Sequence, residues 1–235
     1  MGIALRASPR HGLRMTAHKT TPHKADIANL ELFDGLAMER VFVVTNQRQA
    51  ALARAELLQA AVVGFDTESK PTFHKGQQSE GPHVLQFATL EKAFIFQACW
   101  VESHQVIIEL LQTPALTKIG FGLGGDLQQI SNKFGIRPAA IVDLDRSFKQ
   151  LGYRNAVGAK SAIAMFFNRK LVKSKTVTTS NWAARDLSER QLLYAANDAY
   201  AALMIFHAMQ EESKRAGGEL MPDARVGGTQ QRMNY

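Results

Sequence analysis

The sequence has a single cysteine, Cys99, in 235 residues. That excludes an internal disulfide and any zinc centre built on several thiolates, and it suits a reducing compartment. No stretch approaches the roughly 18 consecutive apolar residues of a membrane span. The first residues carry no apolar block of the secretory kind, so a cytoplasmic protein is expected. No segment repeats, which argues against a solenoid or a propeller. Acidic residues are missing from two segments. Residues 1–24 hold Arg6, Arg10, Arg14, Lys19 and Lys24 and no acid, and residues 146–185 hold nine basic residues and no acid.

The chain does have apolar residues in quantity, at 46%. That is enough to bury a sizeable core and excludes wholesale disorder. Its 28 Lys+Arg against 21 Asp+Glu give a net charge of +7, which hints at a polyanionic partner. With the two acid-free segments set aside, the rest of the chain is net acidic. Residues 1–24 are rich in Ser, Thr and His and show no apolar period, so they are expected to form a disordered basic arm. Their Arg-rich composition also matches an organelle transit peptide. One domain is expected over residues 25–212. Residues 213–235, polar with paired glycines, are expected to be a disordered tail.

Apolar periodicity predicts an α/β order of elements. Strands are expected near residues 40–44, 61–66, 83–88, 92–97, 118–121 and 140–142. Helices are expected near 46–59, 103–111, 126–134, 143–152, 157–167 and 188–212. Ser188 and Gln191 have the spacing of a capping box at the start of the last helix. The Lys/Ser/Thr-rich residues 168–181 are expected to be a mobile basic loop.

Three acidic motifs stand on these elements, each with two readings. Asp66 and Glu68 end the strand at 61–66, and alternation points both to one side. Either the strand ends in a polar turn, or a cation neutralises two crowded carboxylates. Asp126 opens a helix, where it can serve as a cap or as a ligand. Tyr194 and Asp198 lie four apart on one helix face, among apolar residues that make an unpaired Asp costly; an exposed Asp bonded to Asn197 or Arg190 is the other reading. Four carboxylates on three elements of one domain can converge. Hard oxygen ligands without His or Cys select Mg2+ or Mn2+, and two such ions roughly 3.5–4 Å apart form the clamp used in phosphodiester displacement.

The pattern Asp66-x-Glu68, Asp126, Tyr194-x-x-x-Asp198 resembles the DEDDy 3′–5′ exonucleases, which include ribonuclease D and the Werner-type exonuclease domain. The run Ser180-Asn181-Trp182-Ala183-Ala184-Arg185-Asp186-Leu187-Ser188 leading into Gln191–Asp198 is similar to the family's third-motif region. Gly120-Phe121-Gly122 and Val84-Leu85-Gln86-Phe87 also fit, and the resemblance covers about residues 40–210. Ser69-Lys70-Pro71 departs from the Trp-Arg/Lys-Pro often found there, which touches substrate stacking and not the acids.

The resemblance implies a ribonuclease H-like mixed sheet flanked by helices; a catalytic core alone is expected, with no helical accessory domain of the ribonuclease D kind after it. It also implies hydrolysis of nucleic acid from a free 3′ end to nucleoside 5′-monophosphates with two metal ions. Asp66 would bridge both ions, Glu68 and Asp198 would complete one, Asp126 would serve the other, and Tyr194 would orient the attacking water. In the basic strip, Lys160, Arg169, Lys170, Lys173 and Lys175 are the candidate nucleic-acid contacts. Phe73 and Trp182 are candidate stacking residues, Trp182 more naturally a core residue.

Two rivals belong to other classes. Gly120-x-Gly122-x-x-Gly125, with Asp143 and Asp145 about 20 residues on, has the parts of a dinucleotide-binding oxidoreductase fingerprint. Asp126 opposes it, because a carboxylate at that helix start repels a pyrophosphate. The other rival is a catalytically dead nucleic-acid-binding module of the same fold.

Overall fold

The computed structural model describes residues 19–72, 74, 76–215 and 217. The β-branched and aromatic runs form β1 (Val41–Val44), β2 (Val62–Glu68), β3 (Val84–Ala88), β4 (Ala93–Gln97), β5 (Thr117–Gly120) and β6 (Ile141–Asp143). They lie in one mixed sheet in the order β1-β4-β3-β2-β5-β6. β3 runs antiparallel to both neighbours, while β1–β4, β2–β5 and β5–β6 are parallel pairs.

The helices are α1 (Lys24–Ala28), α2 (Gln47–Ala60), α3 (His104–Gln112), α4 (Gly124–Phe134), α5 (Leu144–Gln150), α6 (Ala159–Phe167), α7 (Lys175–Thr178) and α8 (Glu189–Arg215). Asn46 caps α2 by accepting from the Gln49 amide. Ser188 and Gln191 exchange the two bonds of the expected capping box at the start of α8. No helix among the described residues is long and apolar enough to cross a membrane.

Alternation along β2 sorts its side chains between two layers. Val63 and Phe65 join Leu85, Phe87 and Phe96 in a core covered by α2, α3 and Ile130 of α4. Truncating a ring as buried as Phe65 costs about 3–5 kcal/mol. Gly64, Asp66 and Glu68 face α8. Gly64 is required there: a Cβ would lie 1.9 Å from the Ala199 carbonyl oxygen. The bare backbone lets α8 seat against β2, which brings Asp198 beside Asp66.

Two differences from the expected elements have clear causes. β2 runs on to Glu68, because Asp66, Thr67 and Glu68 pair with Gln86, Leu85 and Val84. Ladder bonds to β3 hold acids that strands otherwise disfavour. Residues 168–181 contain α7, and Leu171, Val177 and neighbouring Trp182 are buried and pin the segment to the body. Of the expected arm, residues 1–18 lie outside the described residues; Lys19 bridges to Tyr153, and Lys24 opens α1. Of the expected tail, residues 213–215 complete α8, and apart from Gly217 the rest lies outside the described residues.

Candidate active site

β2 ends with Asp66 and Glu68 on the α8 side, and α8 presents Asp198 one turn after Tyr194. One carboxylate oxygen from each of Asp66, Glu68 and Asp198 lies within 4.8 Å of the others. Asp198 is 6% exposed, so it is not the solvated Asp of the alternative reading. Asp126 stands outside this trio. It approaches from α4 and accepts a hydrogen bond from the Thr67 hydroxyl, whose side chain leaves β2 on the opposite face. Its charge still reaches Asp66 and Glu68.

Crowding and burial make these groups poor anions without a cation. Burial, then repulsion from Asp198 and Asp126, raises Asp66 well above the carboxylate range. Burial and the charges of Asp66 and Asp198 push Glu68 up to about 9. Burial raises Asp198, against the pull of Lys173. Burial also raises Asp126, and its bond from Thr67 counters the rise. Carboxylates so placed call for positive charge, and their all-oxygen donor set fits a hard divalent ion.

The positive charge present is Lys173. Its Nζ lies 2.8 Å from Asp198 Oδ2 and 6.0 Å from the centre of the Tyr194 ring. The sequence placed Lys173 with the solvated strip, and no spacing rule signals that it turns inward. Among the described residues, the other four candidate contacts form no ion pair with these acids. Arg169 pairs with Glu31, 3.2 Å away, and Lys170 donates to the Ala28 carbonyl at 2.9 Å. Lys160 and Lys175 are exposed, and Lys160 Nζ is 3.4 Å from the Lys173 carbonyl oxygen.

Tyr194 is held from two sides. Its hydroxyl is 2.9 Å from Thr178 Oγ1, and its ring packs on Trp182 at 6.0 Å between centres. Trp182 has no exposed surface and donates to the Thr178 carbonyl oxygen at 3.3 Å, so it is a core residue that braces Tyr194. Burial and the Asp198 charge push the Tyr194 hydroxyl up to about 12. Phe73 lies outside the described residues. Beside Tyr194 and Asp198 opens a hollow of about 570 Å3, walled by Leu36, Met38, Val172 and Leu193 among others.

The glycine fingerprint does not make a pyrophosphate site. The Gly122 and Leu123 amides donate to Asp143 Oδ1 and Oδ2 at 2.9 and 3.1 Å. The acid that would hold a ribose fills the loop instead. β3 also runs antiparallel beside β2, where a doubly wound nucleotide fold is mostly parallel.

Comparison with known proteins agrees with this geometry. A 3′–5′ exonuclease family profile matches residues 41–214. The chain is 29% identical over 150 residues to the mouse bifunctional 3′–5′ exonuclease/ATP-dependent helicase WRN, covering 63% of this chain and 11% of that protein. It is 35% identical over 134 residues to ribonuclease D of Musicola paradisiaca, covering 57% of this chain and 35% of that enzyme. The chain thus spans well under two thirds of either relative. The Nibbler EXO domain of Aedes aegypti superposes with a TM-score of 0.69 at 20% identity, over 80% of this chain and 96% of that one. The sheet is the ribonuclease H-like mixed sheet that the motifs implied. With the match running from the first strand through the last helix, the chain belongs to the 3′–5′ exonuclease family.

Proposed function

We propose that the chain hydrolyses nucleic-acid phosphodiester bonds from a free 3′ end, releasing nucleoside 5′-monophosphates. The observation that carries this is the convergence of Asp66, Glu68 and Asp198 beside a braced Tyr194. Asp66, Glu68 and Asp198, with Asp126 at the edge, would hold two Mg2+ or Mn2+ ions. When bound, such ions lower the pKa of a water and offset charge on the departing oxygen.

The protein's own groups then position the reactants. Tyr194, raised to about 12 by burial and the Asp198 charge, is a poor general base at neutral pH; it orients the attacking water through its hydroxyl. Thr178 and Trp182 fix that hydroxyl's place. The hollow beside Tyr194 and Asp198 has the volume of a small-ligand site and would seat the terminal nucleotide. Lys160, Arg169, Lys170, Lys173 and Lys175 supply the positive field that draws in a phosphate backbone. The free, exposed Cys99 thiol fits a reducing compartment, and the cytoplasm is the proposed location.

The test is digestion of matched single-stranded and duplex DNA and RNA, labelled at the 3′ end, with Mg2+ and with Mn2+. The expected result is metal-dependent release of mononucleotides that Asp66→Ala abolishes. Equal inertness of wild type and Asp66→Ala with both metals would leave a binding module without catalysis and end this reading.

A further inference from the structure

Lys173 is the strip residue whose ammonium meets the acids. Its partner oxygen, on Asp198, is 5% exposed as a side chain, while Lys173 itself keeps 30% of its side chain exposed. Burial works against the ammonium charge, yet Asp198 and then Asp66 hold it above the ordinary lysine range. Its charge in turn opposes the upward push on Asp66, Glu68 and Asp198. Lys160 and Tyr194 also face this group, and Lys160 adds only a more distant charge to Asp198. Among the described residues, Lys173 is the cation that forms an ion pair with this trio, at 2.8 Å from Asp198 Oδ2, and it offsets part of their charge.

The backbone around Lys173 is fixed. Leu171 and Val177 are each 8% exposed and anchor the segment on either side, and the Lys173 carbonyl oxygen is engaged by Lys160. The ammonium, by contrast, sits on a flexible four-carbon stem with a path to solvent. An ammonium and a divalent cation repel each other and compete for the same carboxylate oxygens.

We propose that Lys173 is a displaceable counter-ion, which neutralises the Asp66–Glu68–Asp198 cluster until a divalent ion enters and swings its side chain off Asp198. This rests on the reading of those three acids as metal-holding residues. It makes Lys173 a competitor of the metal, which sets how much divalent ion the site needs.

The test uses the full chain at pH 8.5 without nucleic acid, so binding is read apart from turnover. Mn2+ is titrated into wild type and Lys173→Met, and free Mn2+ is followed by its electron paramagnetic resonance signal. The expected result is a Kd for Mn2+ tighter by roughly tenfold or more in Lys173→Met, the scale on which a nearby opposite charge changes cation occupancy of a carboxylate. In chelator the variant should melt below wild type, and saturating Mn2+ should close the gap. Unchanged or weaker binding overturns the proposal. A second measurement needs no stable Met variant. In protein labelled at lysine 13Cε, the Lys173 resonance, assigned by its loss in Lys173→Arg, should move in step with Mg2+ binding. A resonance that stays put while Mg2+ binds also overturns it. Failure of wild type and Lys173→Met alike to bind Mn2+ would sink the metal-holding reading as well, whereas equal tight binding by both would sink the counter-ion alone.

Discussion

Lys118 and Lys173 are both drawn out of water, and their surroundings treat the charge in opposite ways. Lys118 sits in β5, paired across to Val63 at the start of β2, and has no exposed surface. Its Nζ donates to the Leu110 and Thr113 carbonyl oxygens, both at 3.1 Å, at the C-terminal end of α3. Those dipoles engage two of its three hydrogens but do not offset burial, which brings its pKa down to about 8. Lys173 sits at the other end of β2 beside carboxylates, and the pull of Asp198 and Asp66 outweighs burial and raises it. The lesson is that the first lysine belongs to the architecture, ending a helix inside the core. The second pairs with a carboxylate of the candidate site, where the proposed metal would compete with it.

The largest expected effect comes from breaking the second environment. Asp198→Asn removes the anion that Lys173 holds and one member of the trio, and turnover should fall at least about a hundredfold. Single-turnover digestion with saturating Mn2+ checks this, and near-wild-type rates would show that Asp198 is dispensable.

Breaking the first environment should cost stability and not chemistry. Lys118→Met leaves two buried carbonyl oxygens without their donor, at a cost of about 1–3 kcal/mol. Urea unfolding should give the same loss in chelator and in Mg2+, since this lysine lies away from the acids. A metal-dependent loss would mean that the two ends of the sheet are coupled.

A further test sharpens the comparison through pH. Glu68 is raised from 4.5 to about 9 in the fold, so across that window the folded state binds more protons than the unfolded state. Stability of the metal-free protein should therefore fall as pH rises from about 4.5 to about 9. Lys118 is lowered from 10.5 to about 8, so there the unfolded state binds more protons, and its contribution should rise with pH between those values. Urea midpoints across pH in chelator check both slopes. Glu68→Gln should flatten the falling limb, and Lys118→Met should flatten the rising one.

The sequence showed the elements well where a local rule governed them. The capping box at Ser188 and Gln191 started the last helix where expected, and the apolar runs of β3 and β4 read directly as buried strands. Asp66, Glu68 and Asp198, which the structure brings together, stood out because they interrupt apolar patterns that have no use for charge, whereas Asp126 and Tyr194 stood out through the resemblance to the exonuclease motifs. Local rules found the loop at 168–181 but missed the short α7 within it and the anchoring of Leu171 and Val177. Thr67 and Thr178 were missed as supports for Asp126 and Tyr194, since a threonine carries no spacing signal for a partner 59 or 16 residues away.

The sequence by itself therefore determined the alternation that puts Asp66 and Glu68 on one face of β2, and the helical period that stacks Tyr194 and Asp198. Both follow from backbone geometry over a few residues. Only the tertiary structure decided that α8 lies close enough on Gly64 to bring the acids together, that Asp126 is held apart by Thr67, and that Lys173 turns inward while Lys118 caps a helix. Those outcomes depend on which distant atoms share a buried volume. In that volume the cost of an unpaired charge, rather than any local preference, chooses the partner.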